Sequence, residues 1–465
     1  MKSISKIACT CITGFSLVSC VSDTPKQPNI ILINIDDLGW TDFTFMGSSY
    51  YETPNVDKLK SSGIYFSQAY SGGSNSMPSR ACLMTGQYTP RHGIYTVPPA
   101  DRGKARNRKL IPCAIQEELD TQIQTLPQIL KNTGYQTCHI GKWHIGKDPN
   151  LYGMDKNIAG NHFGHPPSYF APYKNPDLPD GPDGEYLPER LAKEVVKYLK
   201  EVDKSRPFFL NYATYLVHTP LQAKPEMEEK YRNKPSTDAH NNPKYAAMVE
   251  AMDTSIGQVL GAIDSLGLAE NTLIIFTTDN GGVYNISKQW PLRAGKGSFY
   301  EGGIRVPLII SWAGTIEGGR ESSQAVSQID FLPTILDIAG IKKPEGQVLD
   351  GISLQPFLKN PTRQIARTLF WHFPAYLEGG NEQTTDPIFR SRPVSVVRQG
   401  DWKLIENFET GKFELYNVVD DISEKTDLID SELKKATEMK VLLKKIQDET
   451  KAPIPDQLNP QYENN

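Results

Sequence analysis

"NIILINIDD", residues Asn29 to Asp37, is a near-continuous β-branched run that stops on two carboxylates. A strand with one wet face alternates apolar and polar residues, so a run without that alternation predicts a strand buried on both faces of a mostly parallel sheet. Polar chemistry begins where the strand ends. A second run, "TLIIFTTDNGG" from Thr272 to Gly282, closes on Asp279 and Asn280, and a third, "PFFLNYATYLVHTP" from Pro207 to Pro220, ends on His218. Helical patterns lie between them: "LPQILKNTG" precedes "YQTCHIGKWH", "PERLAKEVVKYLKEVD" precedes "PFFLNY", and "PKYAAMVEAMDTSIGQVLGAIDSLG" precedes "TLIIFTT". Helix alternating with strand is the α/β pattern. Open α/β sheets collect reacting groups at the carboxyl ends of their strands. Asp36, Asp37, His218, Asp279 and Asn280 are therefore expected to converge although they are far apart in sequence.

From about Arg367 the pattern changes. "TLFWHFP", "PVSVVRQGDWKLIENF" and "GKFELYNVVDD" read as short alternating strands, and "SELKKATEMKVLLKKIQDE" as an amphipathic helix. A small antiparallel sheet with a C-terminal helix is expected there. A chain of 465 residues accommodates one large unit and a smaller one. The divisions expected are a leader at 1–19, a linker at 20–27, a catalytic unit at 28–365 and a C-terminal unit at 366–465. In the leader, Lys2 and Lys6 precede an apolar run too short to span a bilayer comfortably, as in an export signal. Its end, Leu17-Val18-Ser19-Cys20, resembles the lipobox of bacterial lipoproteins, where Cys20 would carry lipid after cleavage. Beyond the leader, Cys82, Cys113 and Cys138 make no disulfide framework, although one Cys82–Cys113 or Cys113–Cys138 pair stays open.

Charge is nearly balanced, with 50 Lys plus Arg against 54 Asp plus Glu, so no whole-chain field draws the protein to nucleic acid or an anionic membrane. An anion site has to be local. Asp36, Asp37, Asp279 and Asn280 offer hard oxygen ligands that suit Ca²⁺ or Mg²⁺, and the absence of His or Cys beside them in sequence argues against zinc. Arg80 in "SMPSR", Lys142 and His144 in "GKWH", His218 in "VHTP" and Lys296 in "RAGKGSFYEGG" supply cations and proton carriers. A tetrahedral anion such as sulfate or phosphate needs fixed positive groups around it and an acid for the leaving oxygen. Each residue alone has an ordinary structural reading, since Asp and Asn form turns and a lone Lys or His is usually a surface or packing group. Gly141, Gly295 and Gly297 favour a ligand site by permitting close backbone approach.

The segment "SMPSRACLMTG", Ser76 to Gly86, resembles the signature of the type I, formylglycine-dependent sulfatases. The segments "NIDDLGW", "GKWH", "HTP", "TDNGG" and "GKGSFYEGGIRVP" resemble the remaining motifs of that family in order, and "GDWKLI" and "ELYN" resemble its small domain. The resemblance covers essentially the whole chain after the leader. It implies an alkaline-phosphatase-like fold, a large mixed sheet sandwiched by helices with a smaller C-terminal antiparallel sheet packed with a helix. It also implies a sulfuric ester hydrolase in which Ser76 is oxidised to formylglycine, whose hydrated aldehyde attacks sulfur. Ca²⁺ would be held by Asp36, Asp37, Asp279, Asn280 and residue 76. Arg80 and Lys142 would hold and activate the formylglycine, and His144 would assist its deprotonation or sulfate expulsion. His218 with Lys296 would contact sulfate and protonate the leaving alcohol. Serine rather than cysteine at 76 implies maturation by an oxygen-independent radical-SAM enzyme.

The stretch from Tyr152 to Arg190 is rich in Gly, Pro and aromatics and is expected to be a long ordered loop beside the pocket. It resembles the corresponding loop of bacterial carbohydrate sulfatases, which makes Asn161, His162 and His165 candidates for sugar contacts, against a reading as loop-packing residues. His372 is the candidate contact from the small domain, whereas His92 in "TPRHG" reads as structural. The expected substrate is a sulfated saccharide, leaning towards sulfated galactose or N-acetylgalactosamine. The expected setting is a periplasmic or cell-surface lipoprotein of a Gram-negative, glycan-degrading bacterium. Two other readings stay open: a phosphoester hydrolase of the same superfamily with Ser76 unmodified, and a glycan-binding lipoprotein whose site is never matured.

Overall fold

The computed structural model describes residues 27–463 apart from 385, so the leader and the lipid-bearing Cys20 expected from sequence lie outside the described residues. An eight-stranded sheet runs, edge to edge, through Arg320–Ser322, Gly63–Phe66, Leu308–Ser311, Thr272–Thr278, Asn29–Ile35, Phe208–Ala213, Gln136–Gly141 and Lys156–Ile158. Only Leu308–Ser311 runs against its two neighbours, which makes the sheet mixed.

The Asn29–Ile35 strand is buried along its whole length. Side chains alternate across a strand. Ile31, Ile33 and Ile35 therefore pack on one face with Leu191, Val195, Met248 and Met252, whereas Ile30 and Leu32 pack on the other with Leu83, Leu126 and Leu336. The helices Leu187–Glu201 and Pro243–Ser265 cover the first face, and Ser76–Thr85, Leu126–Asn132 and Phe331–Ala339 cover the second. Each fully buried isoleucine contributes about 1.5–3 kcal/mol relative to an exposed one. That two-sided burial is what the unbroken apolar run encodes.

The smaller sheet orders the strands Thr368–Phe373, Val394–Gln399, Trp402–Asn407 and Phe413–Asn417, all antiparallel. The Leu433–Thr450 helix buries Leu443 and Met439 against its Val397 and Leu404. This sheet docks beside the Ser76–Thr85 helix. Trp371 Nε1 donates to Ser71 O at 2.8 Å, and Tyr88 Oη donates to Thr368 O at 3.2 Å. A buried ion cluster reinforces the join: Lys403 Nζ lies 3.1 Å from Glu301 Oε1 and 2.8 Å from Glu424 Oε1, with all three side chains fully buried. Two sequence expectations are corrected here. Of "PFFLNYATYLVHTP" only Phe208–Ala213 is strand, and His218 sits in the loop beyond it. Cys82, Cys113 and Cys138 are all free thiols, so neither disulfide left open forms. Among the described residues no helix is long and apolar enough to cross a membrane.

Candidate active site

Parallel pairing sets Ile35 opposite Thr278, so the acidic residues that follow each strand emerge side by side. Asp279 N donates to Ile35 O at 3.0 Å and Asp37 N donates to Asp279 Oδ1 at 3.2 Å, which locks the two strand tips together. Asp37 stands at φ 59, in the left-handed region that non-glycine residues avoid and that clusters at functional sites. The Ser76–Thr85 helix points its first residue at these tips, with Asn75 extended before it and its whole length buried. Ser76 Oγ lies 3.2 Å from Asp36 Oδ1 and 3.3 Å from Asn280 Oδ1. One turn later, Arg80 donates from Nε and Nη2 to Asp279 Oδ2 at 3.0 and 2.9 Å, and from Nη1 to Lys142 O at 2.9 Å.

Lys142 follows the Gln136–Gly141 strand. Its ammonium is fully buried and donates to Asp36 Oδ2 at 2.7 Å and to Ser76 Oγ at 3.0 Å. Gly141 makes this approach possible. Its φ is +105, and a Cβ there would lie 2.0 Å from Ala213 O. His144 also adopts a left-handed backbone, φ 69, and its buried Nδ1 has no hydrogen-bond partner. Across the site, Lys296 Nζ donates to Asp37 Oδ2 at 2.7 Å and stands 3.2 Å from His218 Nε2. His218 Nδ1 lies 2.7 Å from Thr219 O, which can only accept, so Nδ1 carries the hydrogen and Nε2 receives the lysine's.

Burial decides the electrostatics. The Asp36 carboxyl is pushed up to about 8 by loss of water, with Lys142 opposing and the Asp279 and Asp37 carboxylates adding to the rise. Burial also acts to raise Asp279, but Arg80 and Lys142 hold it at about 2. Asp37 sits below the usual carboxylate range because Lys296 and His218 outweigh its burial. His218 is lowered to about 3 by burial, with Asp37 opposing and Lys296 adding, so its ring is neutral. Burial and the neighbouring Lys142 and Arg80 likewise hold His144 far below the usual histidine range. Three packed carboxyl groups, two of them held ionised by neighbouring cations, converge with an amide oxygen and match the donor set of a hard divalent cation. The residues fit one. Oxygens of Asp36 and Asp37 and a ring nitrogen of His218 lie within 4.8 Å of one another, so the convergence of His218 on the acidic pair expected from the run ends is present, although no histidine neighbours the pair in sequence.

These groups open on a cavity of about 580 Å³ whose walls include Ser76, His144, His218 and Lys296. His162 and His165 line it too, and the His165 ring stacks on His218 at 5.9 Å between centroids. Asn161 does not. It is buried, and its amide is spent within the loop, with Nδ2 donating to Asn175 Oδ1 at 3.0 Å and Asp177 Oδ2 at 2.9 Å while Oδ1 accepts from Phe163 N. His372 is also corrected from contact to packing residue. It is 1% exposed, and its two ring nitrogens lie 2.6 Å from Ser395 Oγ and 2.9 Å from Pro453 O. His92 is buried against Cys82, as a structural residue would be. Two wall residues escaped sequence reading, Arg102 and Arg390. Neither sits in a recognisable motif, and only the fold brings them to the same cavity.

The chain is similar to known proteins along most of its length. A sulfatase family model matches residues 28–341, and one for the C-terminal part of N-sulphoglucosamine sulphohydrolase matches 295–452. A sulfatase of Formosa agariphila is 34% identical, over 88% of this chain and 85% of its own. Human N-acetylgalactosamine-6-sulfatase is 32% identical, over 76% of this chain and 69% of its own. Among solved structures, Ps i-CgsB in complex with k-i-k-neocarrahexaose superposes with a TM-score of 0.73 at 31% identity, covering 93% of this chain and 95% of its own.

Proposed function

This chain belongs to the sulfatase family and is a sulfuric ester hydrolase, and from that premise we propose that it releases sulfate from sulfated saccharides, with residue 76 acting as formylglycine. The observation that carries the reading is the setting of Ser76. Its Oγ stands at a helix N-terminus, within 3.3 Å of Asp36 and Asn280 oxygens and 3.0 Å from the Lys142 ammonium. Its hydrogen-bond partners are a carboxylate, an amide oxygen and an ammonium, with no imidazole among them, so it lacks the serine–histidine pairing of a common hydrolase nucleophile and sits instead among hard oxygen donors. Such a setting suits a residue that is both ligand and nucleophile.

As formylglycine, residue 76 would supply a hydrated-aldehyde hydroxyl for attack on sulfur and an aldehyde-forming route for sulfate expulsion. A Ca²⁺ ion held by Asp36, Asp37, Asp279 and Asn280 would supply Lewis-acid polarisation of the sulfate oxygens. The chain's own residues do the rest. Lys142 fixes residue 76 against Asp36, and the Arg80 fork fixes Asp279 while its third nitrogen clamps the backbone of Lys142. The helix N-terminus adds fixed positive potential where the sulfate sits. His144, neutral and with a free buried nitrogen, stands on the cavity wall as proton acceptor for residue 76. Lys296 and His218 form the acid side: the Lys296 ammonium is hydrogen-bonded to His218 Nε2, so a proton can be delivered to the leaving alcohol.

Support for a saccharide comes from the cavity's size and its charged and polar lining, from a relative named as an N-acetylgalactosamine-6-sulfatase and from a structural neighbour in complex with k-i-k-neocarrahexaose. The leader supports export with lipid on Cys20, and serine at 76 supports maturation by a radical-SAM enzyme. The test is sulfate release, by ion chromatography, from a panel of defined sulfated mono- and oligosaccharides with matured protein. Release from at least one galactose or N-acetylgalactosamine sulfate is expected. Release from phosphate esters alone would overturn the proposal.

A further inference from the structure

The catalytic cations are all neutralised within the site. Arg80 pairs with Asp279, Lys142 with Asp36 and Lys296 with Asp37. The two remaining arginines on the cavity wall are not. Arg102 donates from Nη2 to the carbonyls of Val97 and Pro98, both at 3.2 Å, while its buried Nε has no partner. Arg390 donates from Nε to Glu378 O at 3.1 Å, and its Nη1 lies 3.5 Å from Lys296 O. Neither forms an ion pair with any carboxylate among the described residues; Asp37 and Glu378 act on Arg390 only through space, and Arg102 repels it.

The fold holds Arg390 in place. It lies on the Phe389–Ser391 strand beside Leu377–Glu378, and two glycines clear its path. A Cβ on Gly379 would lie 3.1 Å from its Nε, and one on Gly297 would lie 2.9 Å from its Cδ; both glycines have φ +89. The bridge between Asp101 and Tyr376 ties the Arg102 loop to the small domain, and a Cβ on the next residue, Gly103, would lie 2.8 Å from Phe389 Cε1, so this loop abuts the strand that carries Arg390. Two guanidinium groups on one wall with no carboxylate in contact repel one another, and a ligand that supplies an anion relieves that repulsion. A guanidinium presents its donors as a planar fork that matches an oxyanion.

We propose that Arg102 and Arg390 form a second anion subsite, so that the preferred substrate is a saccharide carrying another sulfate or a carboxylate besides the sulfate that is removed. The proposal rests on the saccharide sulfatase reading above and adds the chemistry of the sugar. Charged hydrogen bonds of this kind correspond to about 10- to 100-fold in affinity.

The test uses the full chain with residue 76 matured. It compares a hexose monosulfate, the same hexose bearing two sulfates, and a monosulfated disaccharide containing a uronic acid. Wild type should favour one doubly anionic compound over the monosulfate by about 10- to 100-fold in kcat/KM, with the preference shrinking as salt rises. Whichever of the two is favoured identifies the second anion as sulfate or carboxylate. In R102Q and R390Q, and in R390K, which keeps the charge but loses the fork, the preference should fall towards one. Equal kcat/KM for all three compounds, or a preference unchanged in every variant, overturns the subsite. If no compound is turned over, the saccharide reading fails instead, and calorimetric affinities of the same three compounds for the same proteins still decide the subsite by the same ratio.

Discussion

Lys296→Ala separates proton delivery from charge stabilisation. In the site, the Lys296 ammonium bridges Asp37 Oδ2 at 2.7 Å and His218 Nε2 at 3.2 Å. The other ring nitrogen of His218 is committed to Thr219 O at 2.7 Å, so the proton available at Nε2 is the one shared with Lys296. General acid catalysis is worth about 10²- to 10⁴-fold when the leaving group is a poor one, as a sugar alkoxide is. A nitrophenolate leaves without a proton. With nitrophenyl sulfate the same variant loses only a charged contact to the sulfate, about 10- to 100-fold. K296A and H218A should therefore both lower kcat/KM on a saccharide sulfate far more than on nitrophenyl sulfate. The double variant should be little worse than either single one, because residues acting as a unit are not additive. Initial rates on both substrates, with metal and formylglycine content matched between variants, supply the numbers. Equal fractional losses on the two substrates would refute the assignment of Lys296 and His218 to the leaving oxygen.

Glu424 is raised from its ordinary 4.5 to about 7 by burial, with Lys403 opposing and Glu301 adding to the rise. Its protonated form is favoured in the fold, so this contribution to stability is complete below about pH 4.5 and is lost as pH rises to about 7, by about 3 kcal/mol at most. E424Q should flatten that slope in urea melts run across this interval, and an unchanged slope would show that another group titrates. G141A should lower stability by at least about 2 kcal/mol and lower turnover by displacing Lys142, since its Cβ would lie 2.0 Å from Ala213 O at φ +105. Differential scanning calorimetry beside a rate assay checks both effects, and a wild-type Tm would contradict the packing. D279A, or strong chelation, should abolish sulfate release. Full turnover with no metal found by elemental analysis would rule the metal assignment out.

Much of this was legible because strands carry their burial in their composition. The two runs that end on Asp36-Asp37 and Asp279-Asn280 are adjacent parallel strands, so strand-end reasoning was enough to bring those four residues together. His218 was legible as a site residue but not as a loop residue, because the loop at 214–220 carries apolar residues that pack in the same core as the strand before it. Asn161 and His372 failed for a different reason. A polar side chain in a loop or strand looks alike in sequence whether it faces a ligand or an acceptor of the protein itself, and here the acceptors are the Asp177 carboxylate and the Pro453 carbonyl. Arg102 and Arg390 were invisible, since only tertiary packing brings these distant residues to one wall. The buried Glu301–Lys403–Glu424 cluster was missed likewise, because charged residues carry no periodicity that marks them as interior.

The central claim is that residue 76 does its chemistry as formylglycine and not as serine. Peptide mass spectrometry of preparations matured to different extents, plotted against their rates of sulfate release, tests this directly. The rate should rise in proportion to the fraction of the residue-76 peptide lighter than the serine form by two hydrogens, and should extrapolate to zero for the serine form. Full sulfate release from a preparation whose peptide carries only unmodified Ser76 would contradict it.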